Sequence, residues 1–330
     1  MPGAPGPTRG GRRSAASVPD LVARARDGEV RAVARLVSLV EDESPLLREV
    51  MGALSPYVGH AHVVGLTGSP GVGKSTTTNA LIGLLREDGR RVGVLAVDPS
   101  SPFSGGALLG DRVRMGDHAL DPGVYIRSMA SRGHLGGLAW STPQALRVLD
   151  AAGYDVVLVE TVGVGQSEVE VAGLADTTVV LLAPGMGDGI QAAKAGILEV
   201  GDLYVVNKAD RDGADQVRKE LRSMLALAER PEGAWRPPIV KTVAAKSQGL
   251  DEVVAEIDRH HAWLAESGEL EQRRVRRARD EIEAIAVTAL RERWGDVHGR
   301  SELDELAAAV VAGESDPYAA ADELLGVVSD

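Results

Sequence analysis

The octapeptide Gly68-Ser69-Pro70-Gly71-Val72-Gly73-Lys74-Ser75 constrains this chain more than any other stretch of it. It comes after a short apolar run, Val63 to Thr67, and opens a helix-compatible segment from Thr76 to Glu87. A strand, a glycine-rich turn and a helix in that order form a phosphate-binding loop. The glycines let successive backbone N–H groups turn toward one phosphate chain, and the helix N-terminus adds its positive end. Lys74 is then placed to reach the β- and γ-phosphates as a point charge, and the Ser75 hydroxyl to ligate Mg²⁺. Residues Gly68 to Thr76 are therefore the expected nucleotide cradle.

The chain beyond this loop extends the expectation to a whole fold. Apolar strand candidates recur at 62–67, 91–98, 124–129, 155–161, 177–184, 203–208 and 239–245, separated by helical segments at 75–88, 141–152, 189–200, 213–229 and 250–266. Alternation of this kind means right-handed crossovers and a mostly parallel sheet, with ligands at the carboxyl ends of the strands. Aromatics make up only 3% of the chain, so Val, Leu, Ile and Ala must fill the core, as suits strands covered on both faces. The expected class is α/β: a P-loop NTPase whose mostly parallel central sheet is flanked by helices. An N-terminal helical cap and a C-terminal helical extension complete it.

The expected boundaries are a Pro/Gly/Ser/Arg-rich disordered tail over 1–19, the helical cap over 20–60, the nucleotide domain over 61–266 and a C-terminal helical dimerisation region over 267–330. In the cap, one helix is expected from Asp20 to about Val40 and a second from Pro45 to Leu54. In the C-terminal region Leu270, Val275, Ala278, Ile282, Ile285, Ala286, Ala289 and Leu290 form one stripe, which needs a surface to cover it. A second copy of the chain or its own main domain would serve.

Composition excludes several function classes. A net charge of −12 argues against a nucleic-acid partner. With no cysteine there is no thiolate metal site, disulfide framework or cysteine nucleophile. The seven histidines (60, 62, 118, 134, 260, 261, 298) show no ligand spacing. No apolar run reaches 18 residues and no signal-peptide core is visible, so no membrane association and a cytoplasmic location are expected.

The base and the metal have their own motifs. Asn207-Lys208-Ala209-Asp210 ends the strand Leu203 to Val206. There Asp210 can accept from both N1–H and the exocyclic amine of guanine, a bidentate pair that adenine does not offer. Asn207 would brace the surrounding loops and the Lys208 stem would cover the base. Thr242-Val243-Ala244-Ala245-Lys246 fits a further base loop, in which a backbone N–H among Val243, Ala244 and Ala245 meets the purine oxygen. Glu160, ending the strand from Val156, and Asp98, ending the strand from Arg91, supply carboxylates at the same sheet edge as Ser75, giving an oxygen-rich Mg²⁺ site. The unpatterned stretch between Asp98 and Val124, the segment 163–170 and the segment 184–194 are expected to be nucleotide-sensing switches. Asp111, Gln191 and Lys194 are their polar groups nearest in character to a phosphate site.

Taken in order, Gly-Ser-Pro-Gly-Val-Gly-Lys-Ser-Thr, Val-Asp-Pro-Ser-Ser (97–101), Gly-Asp-Arg-Val-Arg-Met (110–115), Glu-Thr-Val-Gly-Val-Gly-Gln-Ser-Glu (160–168) and Asn-Lys-Ala-Asp resemble the methylmalonyl-CoA mutase-associated GTPases of the MeaB/ArgK type. The resemblance spans roughly residues 20 to 295. It implies GTP hydrolysis to GDP and phosphate, slow unless a partner stimulates it, and a chaperone role toward an adenosylcobalamin-dependent acyl-CoA mutase. It also implies a homodimer built by the C-terminal helices, and cobalamin carried by the partner, with no cobalamin site in this chain. By motif, Lys74, Ser75, Asp98, Asp111 and Glu160 would serve phosphate and Mg²⁺, and Lys194 would belong to an additional switch. Lys74, Asp111, Glu160 and Lys194 form the implied catalytic set. Asn207, Lys208 and Asp210 would hold guanine. The base loop at Thr242 to Ala245 departs from the usual Ser-Ala form. Alternatives are a transport-associated ATPase or kinase, separable by comparing ATP with GTP, and a nucleotide-controlled adaptor that does not hydrolyse.

Overall fold

The computed structural model describes residues 17–98, 116–118, 120–130, 141–161, 167–185, 197–227, 231–294 and 301–329. The chain divides into two compact units, one ending at Leu270 and the other beginning at Glu271.

The first unit is built on seven strands: β1 (His62–Thr67), β2 (Val92–Asp98), β3 (Val124–Ala130), β4 (Val156–Thr161), β5 (Thr177–Leu182), β6 (Leu203–Val206) and β7 (Ile239–Lys241). They lie in the order β3-β2-β4-β1-β5-β6-β7, and every pairing is parallel. The expected mostly parallel sheet is thus wholly parallel among the described residues. β1, β4, β5 and β6 are buried at every position, which is why their sequences are nearly unbroken runs of Val, Leu and Thr. After β1 the chain crosses to β2 and β3 on one side, and after β4 it crosses to β5, β6 and β7 on the other. The loop after β1 therefore sits where strand order reverses, the usual ligand position in such sheets.

Successive strand residues point to opposite faces, and two cores result. On one face Val64, Leu66, Val94 and Leu158 pack with Leu81, Ile82 and Leu85 of α4 (Lys74–Glu87) and with Val253 and Ile257. The last two lie on α9 (Leu250–Ser267). On the other face Val63, Leu95, Val97, Val157 and Val159 pack with α1 (Val18–Arg26), α2 (Val30–Glu41), α3 (Leu47–Leu54) and α5 (Thr142–Ala151). Val171 of α6 (Ser167–Leu174) joins them. The short α7 (Ile197–Val200) precedes β6, and α8 (Ala214–Leu225) closes a third cluster with Val180, Leu182, Tyr204 and Val206.

Two local expectations differ from the fold. The first helical run is two helices, because the chain turns at Gly28, whose φ of 88° ends α1 in the left-handed region. The last strand stops at Lys241 instead of 245, since the Val243 amide turns back to the Gln248 carbonyl (3.0 Å) and residues Ala244–Lys246 coil into a single 3₁₀ turn. The expected helix over 189–200 is described only from Ile197.

The second unit continues α10 (Glu269–Trp294) and adds α11 (Ser301–Ala312) and α12 (Pro317–Ser329), which pack on each other. On α10 Val275, Ile282, Ile285, Val287 and Leu290 are exposed. No helix among the described residues is long and apolar enough to cross a membrane.

Candidate functional site

The site begins where β1 gives way to α4. The loop turns through Gly71 and Gly73, and Gly73 holds φ at 101° as the residue before the helix. A methyl group there would stand 2.4 Å from Asn207 Nδ2, so both its backbone conformation and its space demand glycine. Val72 is buried in the α4 core and pins the loop from below, whereas Pro70 and Gly71 are exposed. Lys74 is also buried, and its ammonium curls back to donate to the carbonyls of Gly68 (2.5 Å) and Ser69 (3.3 Å). Ser75 comes next, in the first turn of α4, with Thr76 exposed beside it.

Glu160 comes to this point from β4. It lies opposite Leu66 of β1 and Ala96 of β2, with 1% of its surface exposed. The Ser75 hydroxyl donates to Glu160 Oε1 at 2.5 Å. The register Val97↔Thr161 places Asp98 one step past β4 at the same carboxyl edge of the sheet. Two of the three residues expected at the metal are thus in direct contact, and the third ends the adjacent strand.

The segment Asn207 to Asp210, expected to read the base, is tied to the loop from the other side. Asn207, 3% exposed, donates through Nδ2 to the Val72 carbonyl at 2.8 Å. Its Oδ1 accepts from the Thr242 hydroxyl (3.1 Å) and the Ala244 amide (3.0 Å). One side chain therefore joins the phosphate loop, the end of β6 and the loop after β7. Lys208 adopts φ of 57° and donates from Nζ to the Gly71 carbonyl at 2.6 Å, so its stem runs back toward the phosphate loop. Asp210 is exposed and pairs with Lys246 at 2.9 Å, a bond that holds its carboxyl below the usual carboxylate range. In the loop after β7 the amides of Val243, Ala244 and Lys246 are committed, to Gln248 O, Asn207 Oδ1 and Val243 O. The exposed Ala245 amide is the one without a partner there among the described residues, and it is the donor available to a purine oxygen.

Asp111, Gln191 and Lys194 lie outside the described residues, as do 99–115 and 119 of the first expected switch, 163–166 of the second and 186–194 of the third. The Asp98 side chain does also. Sequence reasoning gave no role to Lys246; nothing in its spacing signals that it folds over Asp210.

The model of the family described as methylmalonyl-CoA mutase-associated GTPase MeaB matches residues 33–297. A putative GTPase of Pyrococcus abyssi is 46% identical over 310 residues, covering 93% of this chain and 96% of the relative. The GTPase ArgK of Escherichia coli is 41% identical over 264 residues, covering 78% of this chain and 80% of the relative. Among solved structures, a LAO/AO transport system kinase superposes with a TM-score of 0.74 at 30% identity, over 95% of this chain and 98% of that one.

Proposed function

This chain belongs to the methylmalonyl-CoA mutase-associated GTPases of the MeaB type, and from that premise we propose that it acts as a GTP-dependent chaperone for an adenosylcobalamin-dependent acyl-CoA mutase. It is a P-loop GTPase, like the relatives it matches. In the proposed role it gates cofactor loading and protects the mutase, the cobalamin residing on the partner. The family description, which names the mutase, supports this client class.

The observation that carries the nucleotide chemistry is the Ser75–Glu160 contact beside Lys74, locked to the base loops through Asn207. Two oxygen donors at 2.5 Å, with Asp98 ending the next strand, fit a hard divalent cation. Ser75, Glu160 and Asp98 would hold Mg²⁺, which when bound with nucleotide neutralises charge on the β- and γ-phosphates. Lys74 exchanges the Gly68 and Ser69 carbonyls for phosphate oxygens, while the amides of Ser69 and of residues 71–76 surround them. Water attacks the γ-phosphorus, its bond to the β–γ bridging oxygen breaks, and GDP and phosphate leave. Asp111 and Lys194 enter this reading through their motifs alone. Asp210 reads N1–H and the exocyclic amine, Ala245 meets the purine oxygen, and the Lys208 stem covers the base.

The exposed apolar residues of α10 support a homodimer made through the C-terminal helices. A cytoplasmic setting, with neither nucleic acid nor membrane as partner, goes with this role. The test is GTP turnover with and without purified acyl-CoA mutases. Stimulation by one mutase, with nucleotide-dependent co-purification, is the expected result. A rate that no mutase changes, with no complex under any nucleotide, would overturn the chaperone role.

A further inference from the structure

Asp210 is exposed, and an exposed aspartate samples several rotamers unless something fixes it. Its backbone is fixed: the Ala209 amide donates to the Thr242 carbonyl (2.9 Å), and the Arg211 amide to the Lys208 carbonyl (3.0 Å). The carboxylate has a different support. The loop that faces it presents Val243, Ala244 and Ala245, none of which carries a side-chain donor. Lys246 reaches it instead, from Nζ to Oδ2 at 2.9 Å, at the end of the 3₁₀ turn that the Lys246 amide itself closes on Val243. A second loop residue, Ser247, holds φ of 54°, and the Val243–Gln248 bridge ties the base of the loop. The lysine therefore projects from a rigid support.

We propose that Lys246 is a positioning residue for guanine selection, holding the Asp210 carboxylate in the orientation from which it reads the base. The proposal rests on Asp210 being the base-reading acid. An ammonium engages one lone pair of Oδ2, leaving Oδ1 and the second lone pair of Oδ2 for N1–H and the exocyclic amine. An exposed ion pair of this kind contributes little to folding. Its removal should therefore be felt in base recognition and not in stability.

The experiment titrates GDP, IDP, ADP and XDP against the full-length chain and its variants. Lys246→Ala should weaken GDP about tenfold, the low end for one hydrogen bond to a charged group. It should weaken IDP less, because inosine lacks the exocyclic amine, and leave ADP and the thermal midpoint unchanged. Lys246→Arg, which keeps charge and donor, should restore GDP binding to about wild type. In Asp210→Asn, whose amide suits the C2 carbonyl of xanthine, adding Lys246→Ala should cost less XDP affinity than it costs GDP on the wild-type acid, since the ammonium then holds a neutral amide oxygen and no carboxylate. GDP binding in Lys246→Ala equal to or tighter than wild type would overturn the proposal while leaving Asp210 as reader. Asp210→Asn with an unchanged preference for GDP over ADP would remove both.

Discussion

His62 opens β1, the strand that delivers the phosphate loop, and its ring is buried with 4% exposed. Its Nε2 meets the Thr177 hydroxyl at 2.8 Å, and that hydroxyl meets His260 Nδ1 at 2.8 Å. His260 Nε2 lies 3.4 Å from Asp202, so with Nε2–H facing the carboxylate, Thr177 donates to His260 and accepts from His62. Around His62 stand His261, stacked at 4.1 Å, with Asp176, Asp258 and His260 close by. Burial first, and then the electrostatic influence of the neighbouring His261, push the His62 imidazole down to about 3 from an ordinary 6.5. The unfolded chain therefore binds the proton first. His62 contributes its full stability above about 6.5 and loses it as pH falls toward 3. Between about pH 7.5 and pH 5 the loss is about 2 kcal/mol, from 1.36 kcal/mol per unit over the interval below 6.5. Carboxylates titrate in acid too, so the comparison is with His62→Gln, which keeps a donor for Thr177 and has no imidazole. Urea unfolding of both proteins at each pH isolates the histidine. The stability gap between them should shrink by about 2 kcal/mol on acidification. Two parallel pH profiles would show that the ring is not buried neutral and would refute the reasoning.

Other consequences are as direct. Lys74→Ala should fold and lose nucleotide-dependent turnover, checked by phosphate release. Asn207→Ala strands the Val72 carbonyl and the Ala244 amide, and at about 1–3 kcal/mol for each buried group the loss should be about 3 kcal/mol, measured by denaturant unfolding. Gly73→Ala strains a backbone at φ of 101° and drives a methyl into Asn207 Nδ2, and at about 1–3 kcal/mol it should weaken GDP binding by about 10- to 100-fold, measured by fluorescence titration.

The fold was readable because its signals are local and repetitive. Apolar runs such as Val156–Val159 and Thr177–Leu182 show buried parallel strands, and the helices between them fix the handedness. The phosphate loop was readable because its geometry is encoded by adjacent residues. Neither helix break nor strand end was equally plain: Gly28 interrupts an apolar stripe that otherwise runs on, and Val240 to Ala244 is as strand-like as β7 itself. Asn207 was foreseen as a brace, but its partners lie about 35 and 135 residues away and only folding names them. Lys246 over Asp210 and the His62–Thr177–His260 chain are likewise products of packing, formed between segments whose sequences carry no mark of one another.

The account stands on guanine being read where β6 ends. Calorimetric titration of the full-length chain with GDP and with ADP, both with Mg²⁺, measures this directly. Preference for GDP by about 10⁴-fold is the predicted result, the scale for a site that leaves a carboxylate unpaired against the wrong base. Equal heats and equal affinities for the two would contradict it.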